Sequence, residues 1–326
     1  MKKVYAGVLL GMTMAFGSAA QADEEVTFYA ANSEDAIQTV LDVARKLEPE
    51  LKVNVVTAST GTLLQRIRAE SQAPQADVFW SSGFGTLADY TELMQPVQAS
   101  AELPVPTALN GPDHLWAGSN VHVVVLMTNA SQLDGDAPKG WEDLLSGRYR
   151  GRIAFGDPTA SSSAYLQLFG IYKKYGEEGV RKLAENVVVT GGSSSVYRGV
   201  ANAEYPLGIT IEYAAYRYVA GGQQDIALIY PQEGTFLSPE GLFMVKDAPH
   251  PEAAGKLYAV LTSAEFQQAI LESSYRRPVR SDIDLKSVSS LPNLDQIEVF
   301  ELDQQEAGEQ REQLIEMWKN ALSSAQ

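Results

Sequence analysis

The stretch Val53–Trp80, VNVVTASTGTLLQRIRAESQAPQADVFW, shows the alternation of elements that decides the fold. A run rich in valine, VNVV, is typical of a strand. It ends in the turn Thr57–Thr62, and an amphipathic helical pattern follows at once. The residues Asp77–Trp80 then indicate a further short strand. Strands that alternate with helices in this way predict an α/β fold with a mostly parallel sheet and helices on both faces.

The same alternation continues on both sides of this stretch. Further strands are predicted at Val26–Ala30, Gly151–Phe155, Val187–Val189 and Leu207–Ile211. Two more apolar runs, Val121–Met127 and Leu242–Val245, are expected to cross between two domains. A chain of about 300 residues is long enough to form two separate cores.

Two helices are predicted from apolar residues at helical spacing. One follows the serine cluster Ser161–Ser163 and is expected to end near Lys174. The last helix is predicted over about Glu306–Leu322, with Leu314, Met317, Trp318 and Leu322 on the face that packs inward.

The first 22 residues, MKKVYAGVLLGMTMAFGSAAQA, have the pattern of a secretory signal peptide. Two lysines precede an apolar stretch, and small residues close it in the A-x-A pattern Ala20-Gln21-Ala22. We therefore expect residues 1–22 to be removed and the remaining chain to reside in the periplasm. A retained membrane anchor is the alternative, but the apolar stretch is short for a stable span.

Composition restricts the partners that the protein can have. The chain has 25 Lys+Arg, 41 Asp+Glu and a formal net charge of −16, and removal of Lys2 and Lys3 with the signal would lower the charge to −18. This balance argues against a nucleic acid partner, because no basic excess is present to neutralise phosphates. It favours long-range attraction of cations. The chain contains no cysteine, so neither disulfides nor cysteine-linked lipids can form.

Small polar residues recur where predicted strands end and helices begin. In an open parallel sheet, ligands bind outside the carboxyl ends of the strands. Helix N-termini point there with unpaired N–H groups and a partial positive charge, so they can hold an oxyanion. Helix capping is the alternative role of these residues. The turn residues that we predict to bind a ligand are Asn32, Ser33, Ser59, Thr60, Gly61, Thr62, Ser81, Ser82, Ser161, Ser162, Ser163, Ser193, Ser194 and Ser195.

Four further residues are candidates for ligand contacts. Trp80 could stack on a sugar or pack in the core, and Arg198 could pair with a phosphate or lie on the surface. Glu212, at a strand end, could accept hydrogen bonds from the ligand, and Tyr213 could donate one to an oxyanion. His122 lies within an apolar strand, and we expect it to be structural.

Four segments resemble the periplasmic substrate-binding proteins of ABC transporters, in the branch that binds ferric iron or phosphorylated compounds. They are ADVFWSS (Ala76–Ser82), WEDLLSGRYRGRIAFGDPTASSSAY (Trp141–Tyr165), VYRGVANAEYPLGITIEYAAY (Val196–Tyr216) and APHPEAAGKLYAVLTSAEFQ (Ala248–Gln267). The resemblance implies a two-lobed type II fold with two mostly parallel sheets, joined by a two-strand hinge that closes on the ligand. It also implies delivery of the ligand to a permease in the inner membrane, without a cofactor and without chemistry on the ligand.

The resemblance also implies an organisation of the chain. The first lobe would comprise residues 23–122 and 242–275, and the second lobe residues 123–241 and 276–326 with a closing helix. A monomer is expected.

The resembling branch divides over what is bound. Ferric-iron members typically use two adjacent tyrosines, often with a histidine and a carboxylate. Here Tyr213 occupies the first position and Ala214 the second. The serine-rich turns favour a small anionic ligand that carries a phosphate or phosphonate group. Ferric iron bound by Glu34, Glu212 and Tyr213 remains the alternative.

A secreted serine hydrolase is a remote third possibility, suggested only by the number of serines. The sequence has no G-x-S-x-G elbow and no histidine near a serine-rich turn.

Overall fold

The computed structural model of the protein describes residues 24–81, 87–97 and 109–325. The predicted signal peptide, residues 1–22, lies outside these described residues. The strands are β1 (Glu24–Ala30), β2 (Leu51–Thr57), β3 (Val78–Trp80), β4 (Met94–Gln95), β5 (Ala117–Asn129), β6 (Ile153–Phe155), β7 (Val187–Val189), β8 (Leu207–Ile211), β9 (Ile226–Ile229), β10 (Leu237–Val245) and β11 (Arg277–Pro278).

The α-helices are α1 (Glu34–Leu47), α2 (Thr60–Ala69), α3 (Trp141–Leu145), α4 (Ser162–Asn186), α5 (Ser193–Ala201), α6 (Glu212–Ala220), α7 (Pro251–Thr262), α8 (Ala264–Ser274), α9 (Gln304–Glu309) and α10 (Arg311–Ala325). Short 3₁₀ helices cover Ala88–Leu93, Pro112–His114, Ala130–Gln132, Leu285–Ser287 and Leu294–Gln296. Within the described residues, no helix has the length and apolar character needed to cross a membrane.

Two parallel groups of strands form the sheet, as the alternation of elements predicts. Strand β1 lies between β2 and β3, and β6 lies between β7 and β8, with parallel pairing throughout. The two groups are joined through β10 and β5, which pair antiparallel with each other and with their other neighbours. The resulting order is β2-β1-β3-β10-β5-β8-β6-β7.

Strand β5 belongs to both halves of the sheet. Its residues Ala117–Val123 pair with β10, and Val124–Thr128 pair with β8. All thirteen residues of β5 are buried, which accounts for the apolar run Val121–Met127 in its second half. We call β1–β4, β10 and the first half of β5 sheet A. Sheet B comprises β6–β9 and the second half of β5.

Each sheet has its own aromatic core. In sheet A, Trp80 stacks on Phe28 with a centroid distance of 6.3 Å. In sheet B, Trp141 stacks on Phe236 at 4.9 Å. The four largest hydrophobic clusters each draw their buried residues from a single predicted lobe. The lobe boundaries themselves stay a prediction.

Two predicted helices differ in extent from those observed. The helix expected to end near Lys174 continues to Asn186, with an interruption at Gly176, whose φ of 65° lies in the left-handed region. The predicted final helix is divided into α9 and α10. Asp303 caps α9 by accepting a hydrogen bond from the backbone N–H of Glu306.

Truncation of Trp318 is expected to destabilise the protein strongly. Trp318 is 1% exposed on α10 and packs edge-on against Phe155 at 5.4 Å. The Trp318→Ala variant should lose about 3–5 kcal/mol of unfolding free energy, because a large cavity replaces the indole. The matched control is Lys319→Ala, an exposed neighbour on the same helix, which should change stability by less than about 0.5 kcal/mol. Urea unfolding followed by circular dichroism measures both, and equal losses would contradict the assigned packing.

Candidate ligand-binding site

A cleft of about 650 Å³ is lined by residues at the starts of several helices, among them α1, α2, α4 and α5. Helices α1 and α2 follow strands of sheet A, and α4 and α5 follow strands of sheet B. The cleft therefore receives the N-termini of two helices from each sheet. The sequence-predicted residues that line it are Asn32, Ser33, Ser59, Thr60, Gly61, Ser161, Ser162, Ser163, Ser193, Ser194 and Tyr213.

Helix capping accounts for part of the serine content. Ser59 Oγ accepts a hydrogen bond of 3.3 Å from the backbone N–H of Thr62, and Ser161 Oγ accepts one of 3.3 Å from that of Ala164. Ser33 occupies the N-cap position of α1 without such a bond. Its Oγ lies 3.2 Å from Nη2 of Arg276, which donates to it. The hydroxyl at the start of α1 therefore accepts a hydrogen bond from a buried arginine.

A buried ion pair forms the floor of the cleft. Arg276 Nη1 donates to Glu240 Oε2 at 2.8 Å, and the two residues are 2% and 1% exposed. The same carboxylate oxygen accepts from Asn120 Nδ2 at 2.7 Å and from Asn32 Nδ2 at 2.9 Å. The other oxygen lies 2.9 Å from Nε2 of His122. The carboxylate of Glu240 is thus surrounded by protein groups.

Each member of this ion pair keeps the other ionised. Burial raises the pKa of Glu240, but the positive charge of Arg276 and the contact with His122 bring that pKa down to about 2. Burial lowers the pKa of Arg276, but the nearby carboxylate raises it above the usual value. Both groups are therefore ionised at neutral pH, and the charge of Arg276 is largely offset by that of Glu240.

Tyr213 connects this network to helix α6. Its hydroxyl accepts a hydrogen bond of 3.3 Å from Arg276 Nη2, and the guanidinium lies over its ring at 4.4 Å. The ring of His122 lies 5.2 Å away in a tilted arrangement. Burial raises the pKa of Tyr213 despite the nearby arginine, so the phenol keeps its proton at neutral pH. Tyr213 can therefore donate a hydrogen bond into the cleft.

Three of the other predicted residues have protein partners away from the cleft. Trp80 is fully buried, and its Nε1 donates to Ser119 Oγ at 2.6 Å. Ser81 is fully buried, and its Oγ accepts from the backbone N–H of Gly241 at 3.1 Å. Glu212 is 1% exposed and bonds to Arg277.

The remaining predicted residues also lie apart from the cleft lining. Thr62 is one turn inside α2, where its Oγ1 lies 2.8 Å from Ser59 Oγ. Ser195 and Arg198 are exposed on α5. Ser82 lies outside the described residues.

Several polar lining residues were not predicted as ligand contacts. They are Gln65, Tyr90, His122, Thr159, Glu240, Arg276 and Arg311. His122 was expected to be structural, and it both contacts Glu240 and lines the cleft. A signal for two of them exists in the sequence, because His122 and Glu240 are ionisable residues within the apolar crossing strands β5 and β10. Arg311 lies at the start of α10, with its guanidinium 4.2 Å from the Tyr165 ring.

Arginines outnumber carboxylates among the described residues that line the cleft, although the whole chain is acidic. The described lining residues include two arginines, Arg276 and Arg311, and one carboxylate, that of Glu240. The carboxylate of Asp35, outside the lining, also interacts with Arg276. Four helix N-termini add partial positive charge. Charges more than about 10 Å away are largely screened at physiological salt. The charges close to the cleft therefore act on a bound ligand more strongly than the distant acids do.

The alternative iron ligands are not brought together at the cleft. Of Glu34, Glu212 and Tyr213, only Tyr213 lines it. Glu34 is exposed, and Glu212 is held by Arg277 and Tyr230. Across residues 24–81, 87–97 and 109–325, no group of three His, Cys, Asp or Glu side chains is arranged to hold a metal ion.

Comparisons with known proteins agree with this architecture. The chain is 26% identical over 265 residues to iron uptake protein A1 of Synechocystis sp., covering 74% of this chain and 73% of that protein. It is 23% identical over 255 residues to a putative 2-aminoethylphosphonate-binding periplasmic protein of Salmonella paratyphi A, covering 72% of this chain and 71% of the relative.

Solved structures show the same fold. Iron-bound HitA from Pseudomonas aeruginosa matches with a TM-score of 0.81 and 21% identity, covering 91% of this chain and 99% of that one. The periplasmic binding protein AfuA from Actinobacillus pleuropneumoniae, with exogenous fructose-6-phosphate bound, matches with a TM-score of 0.79 and 19% identity, covering 92% and 98%. These likenesses confirm the predicted type II periplasmic binding protein fold.

The family resemblance seen in the sequence is also confirmed. The model of the bacterial extracellular solute-binding proteins matches residues 73–299, well over half of the chain. The protein belongs to this family of bacterial extracellular solute-binding proteins.

Proposed function

We propose that the protein is the periplasmic binding component of an ABC importer and that its cleft captures a small phosphorylated or phosphonate compound. The observation that carries this proposal is the convergence of four helix N-termini on one cleft whose floor holds a buried arginine. Helix N-termini offer backbone N–H groups to an oxyanion, and their dipoles favour negative charge. No other described cavity combines such groups from both sheets.

The hydroxyl groups of the cleft support an oxyanion ligand. Ser59 and Thr60 lie on the side of sheet A, and Ser161–Ser163 and Ser193–Ser194 lie on the side of sheet B. A phosphate or phosphonate group has several strong acceptor oxygens, and small hydroxyl side chains let it approach the backbone closely. A guest that accepts hydrogen bonds from both sides would stabilise a closed arrangement of the two lobes. The names of the Salmonella relative and of AfuA with its sugar phosphate agree with such a ligand.

Ferric iron is the second candidate cargo, favoured by the names of the Synechocystis relative and of HitA. Tyr213 and His122 are the lining residues that could serve it. Binding to Fe³⁺ requires the phenolate, and burial raises the pKa of Tyr213. Ala214 stands where a second tyrosine would be, and it is buried. The iron hypothesis therefore has fewer suitable donors in this cleft than the phosphate hypothesis.

The wider role follows from the family. We propose that residues 1–22 direct the protein to the periplasm, that it acts as a monomer, and that it delivers its ligand to an inner-membrane permease without chemical change. The proposed lobes, residues 23–122 with 242–275 and residues 123–241 with 276–326, would close on the ligand about the crossing strands β5 and β10.

A ligand screen tests the proposal directly. Phosphorylated sugars, phosphoglycerates, phosphonates and ferric citrate would each be added to the purified mature protein, and the melting temperature would be measured. A true ligand at a thousand times its dissociation constant should stabilise the protein by about 4 kcal/mol. We expect this response from a phosphate or phosphonate compound. Stabilisation by iron alone, with stoichiometric metal and the visible colour of an iron–tyrosinate complex, would contradict the proposal.

A pair of arginine variants tests where the anion binds. Arg311 lines the cleft, whereas Arg198 is exposed on α5 and does not line it. The Arg311→Gln variant should weaken binding of the phosphate ligand by about 10- to 100-fold, because a charge-assisted hydrogen bond contributes about 1.5–3 kcal/mol. The Arg198→Gln variant removes the same charge and should bind within about twofold of the natural protein.

Isothermal titration calorimetry measures both variants, with thermal unfolding as the check that each is folded. An equal loss in the two variants would show that the effect comes from net charge or from Arg198 itself rather than from this cleft.

A further inference from the structure

We propose that the floor of the cleft, formed by Asn32, Asn120 and Glu240, is the subsite for a hydrogen-bond-donating group of the ligand, either an ammonium group or a pair of neighbouring hydroxyls. This inference rests on the proposed function and narrows it, because the ligand would carry an oxyanion at one end and hydrogen-bond donors at the other. Asn32 and Glu240 line the same cleft as the serine-rich helix starts. Asn120 joins them through the hydrogen bond from its Nδ2 to Glu240 Oε2.

Glu240 fixes the orientation of both amides. Its ionised carboxylate can only accept hydrogen bonds, so an amide beside it must present the NH₂ group. Asn32 Nδ2 donates to Glu240 Oε2 at 2.9 Å, and Asn120 Nδ2 donates to the same oxygen at 2.7 Å. The carbonyl oxygen of each amide is therefore left to accept a hydrogen bond from another group.

Three acceptor atoms of this group are buried and have no hydrogen-bond partner among the described residues. They are Asn32 Oδ1, Asn120 Oδ1 and Glu240 Oε1. Asn120 and Glu240 are 0% and 1% exposed, so both side chains are shielded from bulk water. A buried acceptor without a donor costs free energy. The floor therefore favours a ligand group that brings donors.

The neighbouring side chains supply few donors to these atoms. His122 Nε2 lies 2.9 Å from Glu240 Oε1, but it also lies 3.3 Å from Arg276 Nη1. One ring nitrogen cannot both accept from Arg276 and donate to Glu240, since it carries either a proton or a free lone pair. If Nε2 donates to Glu240, the two amide oxygens still lack donors. Arg276 contributes one unpartnered donor, its Nε, which the unpartnered acceptors outnumber in the described part of this network.

The formal charges close to Glu240 are balanced, so they do not select between a cationic and a neutral donor. Glu240 is paired with Arg276. Asp35, outside the lining, also acts on Arg276, and its carboxylate lies 3.6 Å from Arg217 Nη2. Two carboxylates thus accompany two arginines. An ammonium group offers three donors and a pair of hydroxyls offers two, so hydrogen-bonding capacity makes both suitable for this floor.

Ligand pairs that differ in their donor groups test the inference on the unmodified protein. Of 2-aminoethylphosphonate and propylphosphonate, which have chains of equal length, only the first ends in an ammonium group. Glycerol 3-phosphate has two hydroxyls that propyl phosphate lacks. Calorimetry at neutral pH should show the donor-bearing member of at least one pair binding about tenfold or more tightly than its partner, equivalent to about 1.4 kcal/mol. The pair that responds identifies the donor as an ammonium group or a diol.

The outcomes separate this inference from the proposed function. Equal binding of the two members in both pairs would overturn the inference, because the donor groups would then add nothing, and it would leave the phosphate proposal standing. If no phosphate or phosphonate compound binds while ferric citrate does, the proposed function itself fails and this inference fails with it.

The Asn32→Ala variant tests whether the effect arises at the floor. It removes one of the three acceptors at a half-buried turn position, so the preference for the donor-bearing member should fall by about threefold or more, the effect of one hydrogen bond. The control is Asn202→Ala, an exposed asparagine after α5 that does not line the cleft, and it should keep the full preference.

Calorimetry with the same ligand pairs measures both variants, and thermal unfolding checks that each is folded. An unchanged preference in Asn32→Ala, or an equal loss for both members of a pair, would assign Asn32 a structural role only and would overturn the inference. If Asn32→Ala does not fold, the ligand pairs on the unmodified protein decide the question alone.

Discussion

The buried ion pair between Arg276 and Glu240 is the interaction on which the geometry of the cleft depends. Glu240 comes from β10, Arg276 directly precedes β11, and the partners Asn120 and His122 come from β5. Asn32 adds the turn between β1 and α1. A buried pair of this kind contributes little net stability, because desolvation offsets the Coulomb attraction, yet removing one partner costs about 3–5 kcal/mol. Its effect is therefore to hold the central strands and the first helix turn in one arrangement.

The anion site proposed above lies in a protein that is acidic overall. The formal charge of −16 belongs to the whole chain. The only carboxylate among the described lining residues is that of Glu240, and it forms an ion pair with Arg276. Screening limits the reach of the distant acids, and the helix N-termini act at contact distance. Composition alone favours a cationic ligand, whereas the proposal above relies on the helix N-termini at the cleft. Net charge describes solubility and long-range attraction better than it describes the site.

The sequence allowed the fold to be predicted because its signals are local. Valine runs, serine caps and apolar residues at helical spacing mark the strands and helices, and Leu314 and Trp318 are buried as their spacing predicts. Most of the predicted serine-rich turns line the cleft for the same reason, whereas Ser81 is buried away from it. Arg276 and Glu240 could not, because 36 residues separate them and their pairing exists only after β10 and β11 are both beside β5. Trp80 was a candidate both for core packing and for stacking on a ligand, and it is fully buried.

The neighbouring arginines 276 and 277 connect the two halves of the molecule through different partners. Arg276 binds Glu240 of β10 and contacts Tyr213, and Arg277 forms a two-point contact with Glu212, whose carboxylate also accepts from Tyr230. Glu212 and Tyr213 begin α6, the helix that follows β8 of sheet B. Breaking either buried ion pair, Arg276–Glu240 or Arg277–Glu212, would cost several kcal/mol. A domain movement that preserves both pairs therefore requires less free energy than one that breaks either. Closure of the cleft is therefore expected to bend β5 and β10 and to leave the contacts of β11 with α6 intact.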